Sequence, residues 1–233
     1  MSASIAVALD VPDLATLRSV SAAVAPHVST LKIGLEVFLR DGRDAVNTAL
    51  QAAADAGSPC ELFLDLKLHD IPNTVAGAAR SVADVEPRYL TVHASGGGQM
   101  IRAAADALPN TLIVAVTVLT SLSQDDVEAI GWREPARDIA VRMAEQSIAA
   151  GARAIVCSPQ EVSAIRAAVP PEIVLITPGV RPAGSDVGDQ SRIATPMQAA
   201  QDGANILVIG RPITAAADPG AAAAAITESI TNA

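Results

Sequence analysis

Aromatic residues are scarce in this chain: two Phe, one Tyr and one Trp make up 2% of its 233 residues. Proteins that bind single-stranded nucleic acids stack bases on aromatic side chains, so this composition argues against that activity. Positive charge is scarce too, because 25 acidic residues outnumber 16 Lys and Arg and leave a net charge of −9. We therefore expect no nucleic-acid or membrane partner, and any anionic ligand must be held by a few local groups.

Long apolar runs and a targeting signal are also missing from the sequence. No stretch of about 18 residues is apolar and free of charges and helix breakers, so no membrane span is predicted. The N-terminus, MSASIAVALD, lacks a basic region followed by an apolar one, and we expect no signal peptide and a cytoplasmic protein. The two cysteines, Cys60 and Cys157, flank apolar segments and are predicted to be buried, reduced thiols.

What the sequence has in abundance is short apolar runs rich in β-branched residues. Half of the residues are hydrophobic, which is enough to build a full core. Runs this apolar are typical of strands buried on both faces. The eight predicted strands are Ile5–Leu9, Thr30–Ile33, Glu61–Leu66, Tyr89–His93, Leu112–Val118, Ala154–Cys157, Ile173–Thr177 and Ile206–Ile209.

Ala-rich segments with helical spacing separate these strands. Several begin with Pro or a capping residue, and Gly57, Gly151 and Gly203 stand where helices should end. The predicted helices are Asp13–Val24, Asp44–Ala56, Thr74–Val85, Gly98–Leu108, Pro135–Ala150, Pro159–Val169, Pro196–Asp202 and Gly220–Ile230.

Eight strands in strict alternation with about eight helices indicate an α/β fold, the (β/α)8 or TIM barrel. We predict a single catalytic domain over residues 1–233, because no linker or low-complexity segment interrupts the alternation. Active sites in this fold lie at the carboxyl ends of the strands. The polar residues predicted at those ends are Asp10, Lys32, Asp65, Lys67, His93, Thr117, Thr120, Ser158, Arg181 and Arg211.

The segment 65–74, DLKLHDIPNT, places two carboxylates around one lysine where the third strand is predicted to end. On an extended strand, Asp65 and Lys67 point to the same side and can both face the barrel mouth. Taking charges out of water is costly unless they are paired, so the cluster predicts a reaction site. A surface salt-bridge cluster that includes Asp70 is the alternative, and Thr74 could simply cap the next helix.

Lys32 ends the second strand inside an apolar run and should therefore pair with a carboxylate. Asp65 on the neighbouring strand is the expected partner, and Asp10 at the end of the first strand could join them. Alternatively, Asp10 caps the first helix. His93 ends the fourth strand and is interpreted as a core histidine bonded to backbone, with His69 not expected beside it.

Two loops together predict a phosphate site. Arg181 ends the segment TPGVR after the seventh strand, and Gly210 and Arg211 follow the eighth. Loops seven and eight of such barrels often hold phosphate, and arginine adds bidentate contacts; two exposed arginines are the alternative. The polar segment 184–192 predicts a mobile loop that closes over ligand, in which Gln190 either reaches the ligand or stays solvated.

These motifs resemble those of the orotidine 5'-phosphate decarboxylase family. The segment DLKLHDIPNT carries the resemblance most specifically. The resemblance implies a homodimeric barrel, with active sites at the interface, that converts orotidine 5'-monophosphate to UMP and CO2 without metal or cofactor. That reaction is the last step of pyrimidine (UMP) biosynthesis. Supporting segments are VALD at 7–10, LKIG at 31–34, VTVLTS at 116–121, TPGVR at 177–181 and IGRPI at 209–213.

The resemblance also implies a role for each matching residue. Lys67 would donate the proton to C6, and Asp65 would sit against the substrate carboxylate. Asp70 would come from the other subunit, with Thr74 beside it. Lys32 and Asp10 would contact the ribose hydroxyls and complete the charged catalytic network, Lys32 as a catalytic residue. The other matches would bind substrate: Thr120 or Ser121 at the pyrimidine, Gln190 between base and phosphate, and Arg181, Gly210 and Arg211 at the phosphate.

Two other functions fit parts of the sequence. A Mg²⁺-dependent sugar-phosphate decarboxylase or aldolase of the same barrel superfamily shares Asp-x-Lys-x-x-Asp but needs another acid near the second strand, where Glu36 is the nearby candidate. A non-catalytic phosphate-binding barrel explains Arg181 and Arg211 but not a lysine between two acids. We predict no metal or cofactor site, because metal-ligand spacings, a Walker loop and GxGxxG after a strand are all missing from the sequence.

Overall fold

The strands close into a parallel barrel in the computed structural model, which describes residues 3–181 and 194–231. Each strand pairs with the next one along the chain, and the last pairs with the first. The predicted (β/α)8 barrel is confirmed. Its strands are β1 Ser4–Ala8, β2 Thr30–Gly34, β3 Glu61–Leu68, β4 Tyr89–His93, β5 Leu112–Val116, β6 Ala154–Val156, β7 Val174–Thr177 and β8 Ile206–Ile209.

Helices connect the strands on the outside of the barrel. The four 3-10 turns in the described residues are Ala25–His27, Ala83–Val85, Ala94–Gly96 and Pro159–Glu161. The α-helices there are α1 Leu14–Val24, α2 Leu35–Asp41, α3 Arg43–Asp55, α4 Pro72–Ser81, α5 Gly98–Ala107, α6 Gln124–Ala129, α7 Ala136–Ala149, α8 Val162–Ala168, α9 Pro196–Gln201, α10 Arg211–Thr214 and α11 Pro219–Thr231.

The element boundaries differ from the predictions in a few places. β3 runs two residues further than predicted, to Leu68, whereas β5 ends at Val116. α4 begins at Pro72 because proline's fixed φ and missing N–H suit the first turn of a helix. The short helices α2, α6 and α10 are not among the predictions, since four to seven residues are too few to show an apolar period.

The barrel interior is filled by apolar side chains up to the level of the mouth, the end where the strands' carboxyl ends lie. Phe63 and Tyr89 pack edge to face in this interior layer, with ring centroids 5.7 Å apart. The layer contributes Ala8, Phe63 and Val208 to the mouth. Its buried members are Ala6, Ala8, Phe63, Tyr89, Leu112, Val114, Ala154, Ile176, Ile206 and Val208.

A second apolar core lies between the strands and the surrounding helices. Leu31 contributes to it from β2, Leu9 from just past β1, and Leu17 from α1. The cysteines are free thiols as predicted, although Cys60 is only half-buried. Within residues 3–181 and 194–231, no helix is long and apolar enough to cross a membrane.

Candidate active site

A cavity of about 540 Å³ opens at the mouth of the barrel, where the fold predicts the site. Phe63 of the interior layer contributes to its floor, and charged or polar groups surround the opening. Eight of the predicted site residues line it together: Asp10, Lys32, Asp65, Lys67, Thr120, Arg181, Gly210 and Arg211.

One wall of the cavity, here called the acid–base side, consists of Asp10, Lys32, Asp65 and Lys67. Nζ of Lys67 lies 2.8 Å from Oδ1 and 2.9 Å from Oδ2 of Asp65. Nζ of Lys32 lies 2.9 Å from Oδ2 of the same carboxylate. The predicted Lys32–Asp65 pair is therefore present, and one carboxylate holds two ammonium groups together at the mouth.

Burial and charge act in opposite directions on these groups. Asp65 is 5% exposed, and its desolvation would raise the pKa of the carboxyl. The two neighbouring lysines outweigh that effect and lower the pKa of Asp65 to about 2. Desolvation likewise disfavours the charged form of Lys32, but Asp65 and then Asp10 raise its pKa above the usual value. Asp65 and Lys32 are thus both charged at neutral pH.

Asp10 approaches this pair because residue 34 is glycine. A Cβ at Gly34 would lie 2.8 Å from Oδ1 of Asp10 and 3.3 Å from Nζ of Lys32. Any larger residue would push the carboxylate or the ammonium group away. Asp10 does not cap the first helix, since Asp13 does so by accepting a hydrogen bond from the Thr16 amide at 2.7 Å.

The third strand is not regular where it supplies Asp65 and Lys67. Leu64 pairs with Leu90 and Leu68 with Val92, so β3 advances four residues while β4 advances two. Lys67 has a φ of +49°, in the left-handed region that non-glycine residues rarely adopt. The expectation of simple alternation along an extended strand is wrong here, and the two side chains meet through a bulge instead.

A second wall, here called the arginine side, consists of Gly179, Arg181, Gly210 and Arg211, which follow β7 and β8. Gly179 has a φ of +78°, so the turn after β7 needs a residue that tolerates this conformation. Nη1 of Arg181 donates to the carbonyl of Val180 at 2.9 Å, while the Arg211 side chain is exposed. Two guanidinium groups and two glycines at one rim suit an anionic group such as a phosphate.

Asp70 and Thr74 are not among the residues that line the cavity of this chain. Both are exposed, and Oδ1 of Asp70 accepts a hydrogen bond from the amide of Ile71 at 2.6 Å. The alternative in which Thr74 caps the following helix is wrong, because Ile71 occupies that position without a side-chain bond. Gln190 and the segment 184–192 lie outside the described residues.

Comparison with known proteins decides the family. The family model described as "Orotidine 5'-phosphate decarboxylase / HUMPS family" matches residues 3–226.

This chain belongs to that family.

Several relatives of the family are similar over nearly the whole chain. An orotidine 5'-phosphate decarboxylase of Thermobifida fusca is 61% identical over 226 residues, covering 97% of this chain and 95% of its own length. One of Frankia casuarinae is 53% identical over 237 residues, covering 96% and 86%. A crystal structure of the Lactobacillus acidophilus orotidine 5'-phosphate decarboxylase is 34% identical, with a TM-score of 0.83 and 99% of each chain covered.

For this member of the orotidine 5'-phosphate decarboxylase / HUMPS family, the sequence reasoning missed Thr91. The Thr91 hydroxyl accepts from the backbone N–H of Lys67 at 2.8 Å and donates to Oδ1 of Asp65 at 3.0 Å. Nothing in the sequence distinguishes this threonine from an ordinary β-branched strand residue. The sequence does single out the two lysines of the site, because Lys32 and Lys67 are the only lysines it contains. In the structure both bind Asp65.

His93 also differs from its prediction. The ring of His69, not expected nearby, lies with its centroid 5.3 Å from that of His93. Burial, followed by the charges of His69 and Lys67, lowers the pKa of His93. His69 follows β3 and His93 ends β4, so both rings lie where these two strands reach the mouth. The histidine of the motif DLKLHD therefore contacts the neighbouring strand.

The part of the chain that the structure describes contains no cluster of side chains suited to bind a metal ion. No group of three or more His, Cys, Asp or Glu side chains there is arranged to hold an ion. Glu36 lines the cavity with two other carboxylates, but Asp65 is already bonded to two lysines and Asp10 lies beside Lys32.

Proposed function

We propose that this protein catalyses the decarboxylation of orotidine 5'-monophosphate to UMP and CO2, as a carboxy-lyase that needs no cofactor. The observation that carries the proposal is the Lys67 side chain, whose Nζ lies 2.8 Å from Oδ1 of Asp65 at the cavity mouth. Membership of the family and the relatives' names support the same reaction. UMP biosynthesis is the process that this reaction completes.

Loss of CO2 from C6 of the pyrimidine leaves an sp² carbanion that the ring delocalises poorly. Without an electron sink, the protein must supply positive charge at the carbon and a proton to quench it. Lys67 does both, because its Nζ is charged and reaches into the cavity. Asp65 orients that ammonium group and lies against the substrate carboxylate as the bond to CO2 breaks.

One lysine does not account for the whole rate enhancement. A unit charge about 4 Å from the developing carbanion contributes ~4 kcal/mol at an effective dielectric of ~20. A reaction this slow in water calls for on the order of 20 kcal/mol of catalysis. The remainder comes from desolvation, orientation and the binding energy of the distant phosphate, which the arginine side provides.

The other lining residues hold the nucleotide across the cavity. Asp10 and Lys32 contact the ribose hydroxyls, Thr120 faces the pyrimidine, and Arg181, Gly210 and Arg211 bind the phosphate. Their positions support this order, since a nucleotide monophosphate carries its anionic group at one end, and Arg181 at the end of β7 lies four strands away from Lys67 on β3. A bridging role of Gln190 between base and phosphate stays a prediction, as do the cytoplasmic location and the single domain over 1–233.

The reaction is tested by adding purified protein to orotidine 5'-monophosphate and following the loss of its absorbance band. We expect complete conversion to UMP, with the same rate in excess EDTA. Lys67→Ala protein, which should stay folded, is the control and should leave the band unchanged. Well-folded wild-type protein that converts no substrate would refute the proposed function, and a rate abolished by EDTA would favour the Mg²⁺-dependent sugar-phosphate alternative, which Glu36 could serve.

We further propose that two copies of the chain form a dimer in which Asp70 and Thr74 complete the partner's site. Both residues are exposed and stand outside the lining of their own cavity. Large apolar side chains are exposed in the segments that follow β2 and β3: Leu35 at 44%, Leu39 at 78% and Ile71 at 67%. A second copy that covers this surface would remove them from water and place the Asp70 carboxylate near the neighbouring Lys67.

Subunit mixing tests this arrangement. Lys67→Ala and Asp70→Ala proteins should each be inactive alone, but their heterodimer has one site with an intact Lys67 and an intact partner Asp70. Random exchange should restore about a quarter of wild-type activity, because half of the dimers are mixed and each has one good site. A mixture of Lys67→Ala and Asp65→Asn is the matched control and should restore nothing. Heterodimers that form without activity in the first mixture would contradict the shared site.

A further inference from the structure

We propose that Thr91 is a positioning residue that sets the conformation of Lys67 for catalysis. It is the single residue of β4 between the two paired positions Leu90 and Val92, opposite three residues of the β3 bulge. Its hydroxyl accepts the hydrogen bond of the Lys67 amide at 2.8 Å and donates to Oδ1 of Asp65 at 3.0 Å. One side chain therefore ties the backbone of the proton donor to the carboxylate that orients its ammonium group.

The backbone of Lys67 needs such a tie. A non-glycine residue in the left-handed region is strained, and it persists only where the surroundings hold it. The bulge removes the regular ladder partner of the Lys67 amide, and a buried amide without a partner is unfavourable. The Thr91 hydroxyl satisfies that amide in the place where β4 has no backbone group in register.

The hydroxyl also acts on the acid. Thr91 is fully buried, so its hydrogen bond to Asp65 is shielded from water. With Lys67 on both oxygens and Lys32 on Oδ2, the bond from Thr91 leaves the carboxylate little freedom to rotate. Thr91 is not among the residues that line the cavity, so it acts through Lys67 and Asp65 and not by contact with the nucleotide.

This inference rests on the proposed decarboxylation, and the test keeps the two apart. Thr91→Val keeps the shape and removes both hydrogen bonds, whereas Thr91→Ser keeps the hydroxyl. Thr111→Val is the matched control, because Thr111 is also a buried threonine with a short hydrogen bond, 2.7 Å to the carbonyl of Pro87, but at the opposite end of the barrel. Thr91→Ala, which adds no bulk, is measured as well in case the valine variant does not fold.

For orotidine 5'-monophosphate we expect Thr91→Val to lower kcat about 10- to 100-fold, the loss that follows from removing a hydrogen bond to a charged group. UMP affinity should stay within about threefold, and Thr91→Ser should recover most of the rate. Crystal structures of the variants should show Lys67 of Thr91→Val outside the left-handed region or its Nζ withdrawn from Asp65.

Two results would overturn the role of Thr91. One is a kcat of folded Thr91→Val, or of Thr91→Ala, that equals that of Thr111→Val. The other is a variant crystal structure in which Lys67 and Asp65 keep their wild-type positions. If wild-type protein does not decarboxylate the nucleotide at all, the proposed function fails, whereas the crystallographic comparison still decides whether Thr91 positions Lys67.

Discussion

The two walls of the mouth are built in opposite ways. On the acid–base side, Lys32, Asp65 and Lys67 are joined by contacts of 2.8–2.9 Å, and only 7% of the Asp65 side chain is exposed. On the arginine side, Arg181 stands on the loop just past β7, and Arg211 is the exposed first residue of α10 just past β8. The first wall is held together by its own ion pairs, whereas the second presents positive charge to a ligand.

This contrast assigns different tasks to the two walls. Preorganised charges lower a barrier because they need no rearrangement when charge develops in the transition state. Exposed cations at a rim contribute binding energy to a remote group, which the enzyme uses to orient the reacting end. Changes on the acid–base side should therefore reduce kcat, and changes on the arginine side should act mainly on KM.

The sharpest test of this division is Lys67→Ala. We expect kcat to fall about 10⁴-fold or more, because the proton donor and the positive charge at C6 are lost together. UMP affinity, measured by calorimetry, should change little, since the phosphate contacts remain. Arg88→Ala removes a cation at the other end of the barrel and is the control. A kcat within tenfold of wild type would exclude Lys67 from the chemistry.

Asp65→Asn should cause the largest loss of stability. Two largely buried ammonium groups would lose their counter-charge, which typically costs about 3–5 kcal/mol of unfolding free energy at pH 7. Urea unfolding of both proteins at neutral pH measures this difference. Equal midpoints would mean that the acid–base side is not held by Asp65.

The same carboxylate predicts a pH dependence. The pKa of Asp65 is about 2 in the folded chain against 3.8 as reference, a difference worth about 2 kcal/mol. Because the folded pKa is the lower one, this stabilisation is present above pH about 4 and is lost as the pH falls towards about 2. Asp65→Asn should lack this part of the pH dependence when unfolding is followed from pH 5 downwards, and an unchanged profile would be inconsistent with the paired carboxylate.

Arg211→Ala should weaken substrate and UMP binding about 10- to 100-fold, the usual effect of losing a charge-assisted hydrogen bond to phosphate. Uridine, which has no phosphate, should bind equally to variant and wild type. Arg102→Ala is the control, because Arg102 is an exposed arginine of α5 outside the cavity lining. If uridine affinity fell as far as UMP affinity, the arginine side would not be a phosphate site.

The smallest effect is expected for Glu36→Gln. Glu36 lines the cavity, yet the proposed mechanism gives it no proton to transfer and no metal to hold. Steady-state rates should stay within about threefold of wild type, with or without EDTA. A large loss that Mg²⁺ modulates would instead support the sugar-phosphate chemistry.

Much of this architecture was predictable from the sequence. Strands buried on both faces show themselves as apolar runs, and the eightfold alternation left one barrel fold to consider. Lys32 and Lys67 were predicted at the mouth because a charged side chain at the end of a buried strand loses hydration. That loss is unfavourable unless the charge is paired, as it is in a reaction site. The site residues followed from the fold once the strand ends were placed.

The remaining features depend on pairing between distant segments. The left-handed Lys67 and the bulge around it arise from the register of β3 against β4, which local propensity does not encode. Thr91 and Gly34 look like ordinary residues until the neighbouring strand is in place, and the contact of His69 with His93 is of the same kind. Regular alternation along β3 therefore predicted correctly that Lys67 lies beside Asp65. The two side chains meet through a bulge, however, and not along a regular strand.

That both lysines are bound to Asp65 before any nucleotide enters is tested most directly by NMR of protein labelled at lysine side chains. The chain has only two lysines, so two ammonium signals report on the whole acid–base side. We predict that both signals exchange slowly with water in the free protein and that Asp65→Asn shifts both. If a lysine signal has the averaged chemical shift of a mobile side chain, and Asp65→Asn does not change that shift, the lysine is not held by Asp65. That result would contradict a preassembled site.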